Sequence, residues 1–560
     1  MVLILLSWLY ILFTSLTYGI GFSKLFRIPS IDVVITSILG LFSITIVASI
    51  WAVFGPINIA FHTVLLLFTL LIGFWNKELY LVIFQKTKSF FITFPLAIKM
   101  LLLFSSLLIL AQSATSPFII DNETYYIQTI KWLNEYGFVP GLANLHLFFG
   151  QTSGWHITQS VFSFSFLYDR FNDLNGFCLL IGNYWAFEKL HSYFVTKNKI
   201  ELVFGLLPIT YVFLFQFVNA PSPDVPVYIF GLILFWLYLE NENFAIITSI
   251  ALSLVFIKIT AVVLLILPIL LVIKNYDVIK KQLNRIVLLS VLVFVLFIIK
   301  NAILTGYPFF PMTFISLPNA SFTVPKAIMD FFFSQRMMHS FYIPFGSIEN
   351  LTLTDILQYY FFRNGINSII GIATIVMVIA SPIVIYKRYP KQTIWNIYFV
   401  FITLLILVTF SSPQYRFYVY FTIFFGLLLL SLVLTNRKII LISIGLSLAL
   451  VALLIFIPIS FAGLTNNTSL ASNSTFSIKN TLVPEPNTKG NQKYVLLPKE
   501  NLDYYSPTHY PFFWITGNGD LPCVNTEQLR YFETNFKVIP QLRGASLKDG
   551  FYAKKVTTND

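Results

Sequence analysis

Asp121 and Glu123 stand in FIIDNETYYIQTIKWLNEYGFVPGLANLH (118–146), the most polar long stretch in the first half of an otherwise apolar chain. A carboxylate in such a stretch can act as a general base toward a hydroxyl or coordinate a divalent cation. Asp121 and Glu123 are thus the candidate metal ligands, and the sequence calls for no other cofactor. Read as plain structure, the same groups are hydrated and cap a helix beginning near Thr124. Asp224 is the only charge in NAPSPDVP (219–226), where three prolines fix a rigid turn. It either caps the apolar segment that follows or faces the same space as Asp121.

Three isolated cations accompany these acids. Lys258 lies in FIKIT (256–260), Lys300 precedes NAILTGYPFFP (301–311), and Arg416 ends SSPQYR (411–416). Cations at membrane depth are costly and are usually paired or functional. Converging on one place, they would bind a phosphate or pyrophosphate, Arg in a bidentate fork and Lys as a point charge. Separately, each would snorkel to the headgroups. His146 and His156 flank LHLFFGQTSGWH without a metal-binding spacing, and His146 can hydrogen-bond a sugar or Asp121. Trp155, with Tyr125, Tyr126 and Trp132, reads first as an interfacial aromatic belt and second as a sugar-stacking surface. A Walker loop and a GxGxxG unit are both missing, so a nucleotide site has no support.

The elements that must position these groups are dictated by composition. Of 560 residues 57% are hydrophobic and only 11% charged, against about 25% charged in soluble domains. Fourteen apolar segments follow one another, at about 1–21, 31–54, 58–75, 92–113, 172–194, 200–217, 226–240, 244–257, 259–273, 286–303, 366–386, 392–410, 417–435 and 438–461. The first has no basic flank or cleavage site and reads as a retained span. With sides alternating, sixteen Lys and Arg fall in one set of loops and, before the tail, seven in the other. The positive-inside rule makes the first set cytoplasmic. The N-terminus, the 114–171 loop, the 304–365 loop and the tail then face outward. Because the basic residues set topology, the net charge of +12 does not point to nucleic acid. Segments seven to nine cover only about 22 Å each at 1.5 Å per residue, and Lys258 sits at the tip between two of them. Short spans with a charged tip line wet cavities.

The expected architecture is an all-α polytopic membrane protein of about fourteen transmembrane helices with a small C-terminal extracytoplasmic α/β domain. It divides into a four-span region (1–113), an acidic outer loop with interfacial helices (114–171), a ten-span region (172–461), a polar linker (462–493) and the tail domain (494–560). In the tail, YVLLP, FKVIP and GFYAKKV read as strands and NTEQLRYFETN as a capped helix. At this size the tail is marginal alone and should pack on the outer face of the membrane part.

An acidic motif in the first large outer loop, interfacial helices after it, short spans with a buried Lys and an outer C-terminal domain together resemble the GT-C superfamily of integral-membrane glycosyltransferases. The phrases Asp121–Tyr126, IKWLNEYGFVPGLANLH (130–146), PSPD (221–224), TGYPFFP (305–311), PQYRF (413–417), LPC (521–523) and RGASLKDGF (543–551) are similar to those of a group of large bacterial inner-membrane proteins near that superfamily. The resemblance implies inverting transfer of a sugar from a polyprenyl-phosphate donor to a glycan, lipid or protein acceptor of the cell envelope, outside the cytoplasmic membrane. It carries Asp121 onto the family's catalytic acidic position. Two departures stand out: the acidic loop follows the fourth span rather than the first, and the acids are two apart rather than adjacent.

The resulting expectation has Asp121 orienting or deprotonating the acceptor, Glu123 as the second acid, and Lys258 and Arg416 on the donor phosphate. Asp224, Lys300, His146 and Trp155 complete the binding surface. A gap of about 6–12 Å between acid and cation would leave room for a sugar, because base, acceptor and donor must be in contact. The alternative is a transporter, flippase or polymerase of lipid-linked saccharides.

Overall fold

The computed structural model describes residues 1–28, 32–168, 173–341, 352–362, 366–462, 471–490, 492–508 and 512–556. Parts of the 304–365 loop and of the 462–493 linker therefore lie outside the described residues.

Apolar runs with few charges leave the backbone to satisfy its own hydrogen bonds, and the chain is mostly helical as a result. Helices occupy all fourteen apolar segments. Among the described residues, eight are long and apolar enough to cross a membrane, or up to nine if the bent pair Ile59–Trp75 and Lys77–Thr93 is one span. The chain is a multi-pass membrane protein. Asp224–Leu239, Phe244–Ile257 and Val419–Val433 are apolar but short.

Two differences from the sequence expectation concern helix breaks. The stretch read as a loop after residue 75 is the helix Lys77–Thr93, bent by 80° from the helix before it. Lys77, Glu78, Lys86 and Lys88 are interspersed with apolar residues there, and only Ile83 is buried. Segments nine and ten form one run: a 3-10 turn at Ile259–Leu265 continues into Ile266–Thr305, interrupted by non-helical backbone at Asn275.

The tail holds two antiparallel hairpins, Tyr494–Lys499 with Leu502–Pro507 and Val538–Leu542 with Phe551–Lys555, plus the helix Thr526–Phe536. Leu502–Pro507 is a strand the sequence pattern did not suggest. Asn525 caps the helix by accepting from the Glu527 amide.

The tail is bonded closely to the acidic loop. Thr516 and Gly517 amides donate to the Glu123 carbonyl at 3.0 and 2.7 Å. Gln128 Nε2 donates to Gly517 and Gly519 carbonyls, and Lys131 Nζ to Asn518 and Gly519 carbonyls. Two of the quoted phrases meet directly, with the Phe551 amide donating to the Pro140 carbonyl at 2.9 Å. Gly141 (φ 64°) and Gly550 (φ 92°) allow that approach, since a Cβ at either would fall within 2.2 Å of Phe551 O or 2.0 Å of Pro140 O.

His146 belongs to this junction. Its Nδ1 accepts from the Phe148 amide, Nε2 donates to the Trp514 carbonyl at 2.9 Å, and its ring stacks on Phe149. His146→Ala leaves the Trp514 carbonyl without its donor, at a cost of about 1–3 kcal/mol. The expected result is faster limited proteolysis of the tail in the purified full-length protein. An unchanged cleavage rate would remove His146 from the docking contacts that matter.

Candidate functional site

Asp121, Arg416, Asp224 and Lys258 form a chain of alternating charge. Arg416 Nη1 lies 2.5 Å from Asp121 Oδ2 and 3.6 Å from Asp224 Oδ2, and Lys258 Nζ pairs with Asp224 Oδ1. Asp224 is 1% exposed at its side chain, Lys258 14%, Asp121 19% and Arg416 25%. The acids and bases cancel, and the Asp121–Arg416 end is the part open to solvent. Burial opposes the Arg416 charge, yet the Asp121 and Asp224 carboxylates more than offset it and hold the guanidinium well above its ordinary pKa.

Each partner is delivered by a local break in helix. Asp121 directly precedes a π-helical turn at Asn122–Tyr126, which passes into the helix Ile127–Glu135. Such turns are frequent at functional sites. The Tyr126 hydroxyl donates to Asp121 Oδ2 at 3.4 Å. Asp224 opens the helix Asp224–Leu239, and the Ser222 hydroxyl donates to its Oδ2 at 3.1 Å. Lys258 ends the helix Phe244–Ile257 and lies 4.5 Å from the Phe417 ring. Arg416 occupies the 3-10 turn Tyr415–Phe417, where Gln414 Oε1 accepts from its Nη2 at 2.9 Å.

Two buried amides tie these breaks together, and sequence reasoning did not single them out. Asn175 Nδ2 donates to the carbonyls of Phe217, Ala220 and Ser222, and its Oδ1 accepts from Trp155 Nε1 at 2.5 Å. Asn219 Nδ2 donates to Thr115 Oγ1 and the Ser116 carbonyl. The turn carrying Asp224 is thereby fixed to the segment leading into Asp121. An amide inside or beside an apolar run, as in LNGF (174–177), was the available signal.

Other expected site residues stand elsewhere. Glu123, in the π-helical turn that follows Asp121, binds the linker rather than Arg416. Its carboxylate accepts from Thr488 Oγ1 at 2.9 Å and from Asn122 and Gln492 side chains at 3.2 Å, holding the linker. The two acids therefore have different partners, and the described residues contain no group of three or more side chains that could hold a metal ion. His146 is in the tail junction, with burial pushing its pKa down to about 4. Trp155 is buried against Phe230 and positions Asn175. Lys300 is buried near His156 and not in the ion-pair chain. The expected open gap between acid and cation is replaced by direct contact, because two opposite charges leaving water gain most when they touch.

Residues 1–423 match the family described as Domain of unknown function (DUF8201). The chain belongs to the DUF8201 family. All four residues of the charge chain fall inside the matched region, and the tail domain falls outside it. No curated protein and no solved structure matches the chain.

Removing one member of the charge chain strands another. Asp224→Asn should destabilise the protein by about 3–5 kcal/mol, the cost of breaking a buried pair. Adding Lys258→Met should recover a large part of the loss. Thermal unfolding in detergent measures both; additive losses would show that the pair is not coupled.

Glu123 generates a pH prediction. Burial raises its pKa above 4.5, outweighing its hydrogen bonds from Thr488, Asn122 and Gln492. A carboxyl whose folded pKa is raised contributes most below its unfolded pKa and loses that contribution as pH rises through the folded value. Hydrogen-exchange protection of residues 512–519 should thus weaken as pH climbs above about 4.5, after correction for intrinsic exchange. Glu123→Gln should flatten that dependence; an unchanged slope in the variant would assign it to another group.

Proposed function

We propose that this protein is an integral-membrane glycosyltransferase of GT-C type, transferring a sugar from a polyprenyl-phosphate donor to an envelope acceptor on the extracytoplasmic face. The observation that carries the reading is the junction of Asp121 with Arg416, Asp224 and Lys258, drawn from four separate helix breaks. The reading includes fourteen spans, with the N-terminus, acidic loop and tail outside the cytoplasmic membrane, as the distribution of Lys and Arg supports.

Asp121 serves Arg416 as an internal counter-ion until donor arrives. The donor phosphate takes the Arg416 fork, and the carboxylate is released toward the acceptor. The acceptor oxygen then bonds to the anomeric carbon as the bond from that carbon to the phosphate oxygen breaks. The electron pair leaves on the phosphate, stabilised by Arg416 and Lys258, and the hydroxyl proton passes to Asp121. Asp224 stays on Lys258 and fixes the geometry. Glu123 acts at the tail junction instead.

A transporter or flippase of lipid-linked saccharide is the second reading. It is favoured by the break at Lys258, where the helix Phe244–Ile257 gives way to a 3-10 turn, since interrupted helices line transport paths.

Membranes containing the protein, incubated with polyprenyl-phosphate sugars, test the two. Asp121→Asn should lower turnover by about 10²–10⁴-fold, the usual worth of a general base. Donor affinity should hold or rise, because Arg416 loses its competitor, whereas Arg416→Ala should weaken donor binding. Transfer at the wild-type rate by Asp121→Asn would sink the mechanism. Movement of the lipid-linked sugar across proteoliposomes without transfer would establish the transporter.

A further inference from the structure

Beside the charge chain lie two buried donor groups, one with no acceptor and one with a single acceptor among the described residues. In the turn at 153–156, the Ser153 amide donates to His156 Nδ1 at 3.3 Å, and the His156 amide donates to Ser153 Oγ at 3.1 Å. With Nδ1 accepting, the ring proton of the neutral imidazole must sit on Nε2. Burial and the neighbouring Lys300 charge push the His156 pKa down to about 3, so the ring is neutral at ordinary pH. His156 is fully buried, and its Nε2–H has no hydrogen-bond partner among the described residues.

Lys300 is 4% exposed. Its Nζ donates to Asn301 Oδ1 at 2.5 Å and lies 5.6 Å from the Phe297 ring. An ammonium carries three donors, and no carboxylate pairs with this one among the described residues. A buried cation and a buried neutral donor, both short of acceptors, favour an anion as the missing acceptor.

This donor pair adjoins the charge chain. The His156 ring is 4.9 Å from the Tyr126 ring, whose hydroxyl donates to Asp121, and His156 feels the charges of both Lys300 and Asp224. The charge chain is neutral by itself and offers one exchangeable anion position at Arg416. The donor pair adds a second, and a ligand with two linked anionic groups would supply both.

We propose that Lys300 Nζ and His156 Nε2–H form a second phosphate subsite, so that the head group recognised here is a diphosphate rather than a monophosphate. This rests on reading the site as one for lipid-linked phosphate. It gives Lys300 a role in substrate selection, apart from the bond-making step assigned to Asp121.

Equilibrium binding to the purified full-length protein in detergent tests this with four probes: inorganic phosphate, inorganic pyrophosphate, a polyprenyl monophosphate and a polyprenyl diphosphate. The wild type should bind the lipid diphosphate at least roughly tenfold more tightly than the lipid monophosphate, the scale of one added charged hydrogen bond. Lys300→Met should erase that preference while leaving monophosphate binding within about twofold, and Lys300→Arg should keep most of it. Lys300→Gln, which can still donate to Asn301 Oδ1, carries the same expectation should Met fail to fold. Inorganic pyrophosphate binding as tightly as the lipid form supports the subsite and names a free diphosphate as its ligand. Equal wild-type binding of the two lipids, or equal losses for both in Lys300→Met, overturns the proposal. The two readings fail separately. Diphosphate preference without sugar transfer leaves the subsite and removes the transferase. Transfer from a diphosphate-linked sugar at an undiminished rate by Lys300→Met removes the subsite and leaves the transferase.

Discussion

Taking the four charges of Asp121, Arg416, Asp224 and Lys258 out of water is tolerable only because each one meets its opposite. Asp224 is almost wholly buried between Lys258 and Arg416, and Arg416 in turn holds Asp121. An unpaired carboxylate at that depth would be strongly unfavourable. The four residues come from the acidic loop, a proline-rich turn, a helix tip and a 3-10 turn. Each of those irregular pieces of backbone must therefore stop in one place. The broken helices and the amide braces at Asn175 and Asn219 are consequences of that requirement.

The same acidic loop carries a second function on its other side. Asp121 looks toward Arg416, while Glu123 and its carbonyl take the linker and the 516–517 amides. A short π-helical turn thus joins the ion-pair chain to the docking surface of the tail. Motion of the tail would be felt at Asp121 through only two residues of backbone. His146, on the same loop, secures the far end of that surface as a neutral imidazole with both nitrogens engaged.

Much of this was legible in the sequence. Composition alone requires a multi-pass helical protein, and the fourteen apolar segments coincide with helices. The tail strands at 494–499, 538–542 and 551–555 follow from local alternation and turn residues. Asp121, Asp224, Lys258 and Arg416 could be picked out because a charge amid apolar neighbours is conspicuous wherever it falls. Leu502–Pro507 was missed because LDYYSP carries little alternation of its own and is set by pairing with Tyr494–Lys499.

What the sequence determined by itself is what depends on neighbours in the chain: that its apolar segments become helices of a multi-pass membrane protein, and which charges are out of place. Partnership was decided only by the tertiary structure. Asp121 and Arg416 are 295 positions apart, and no local pattern encodes their contact. Glu123 and Asp121 look equivalent on paper, yet a rotation of two residues sends one to the tail and the other to the guanidinium. His146 and Trp155 carry the right chemistry for sugar binding but are consumed by hydrogen bonds to Trp514 and Asn175. The reason is that a side chain's identity is local, while its direction and its partner are set by how the helices pack.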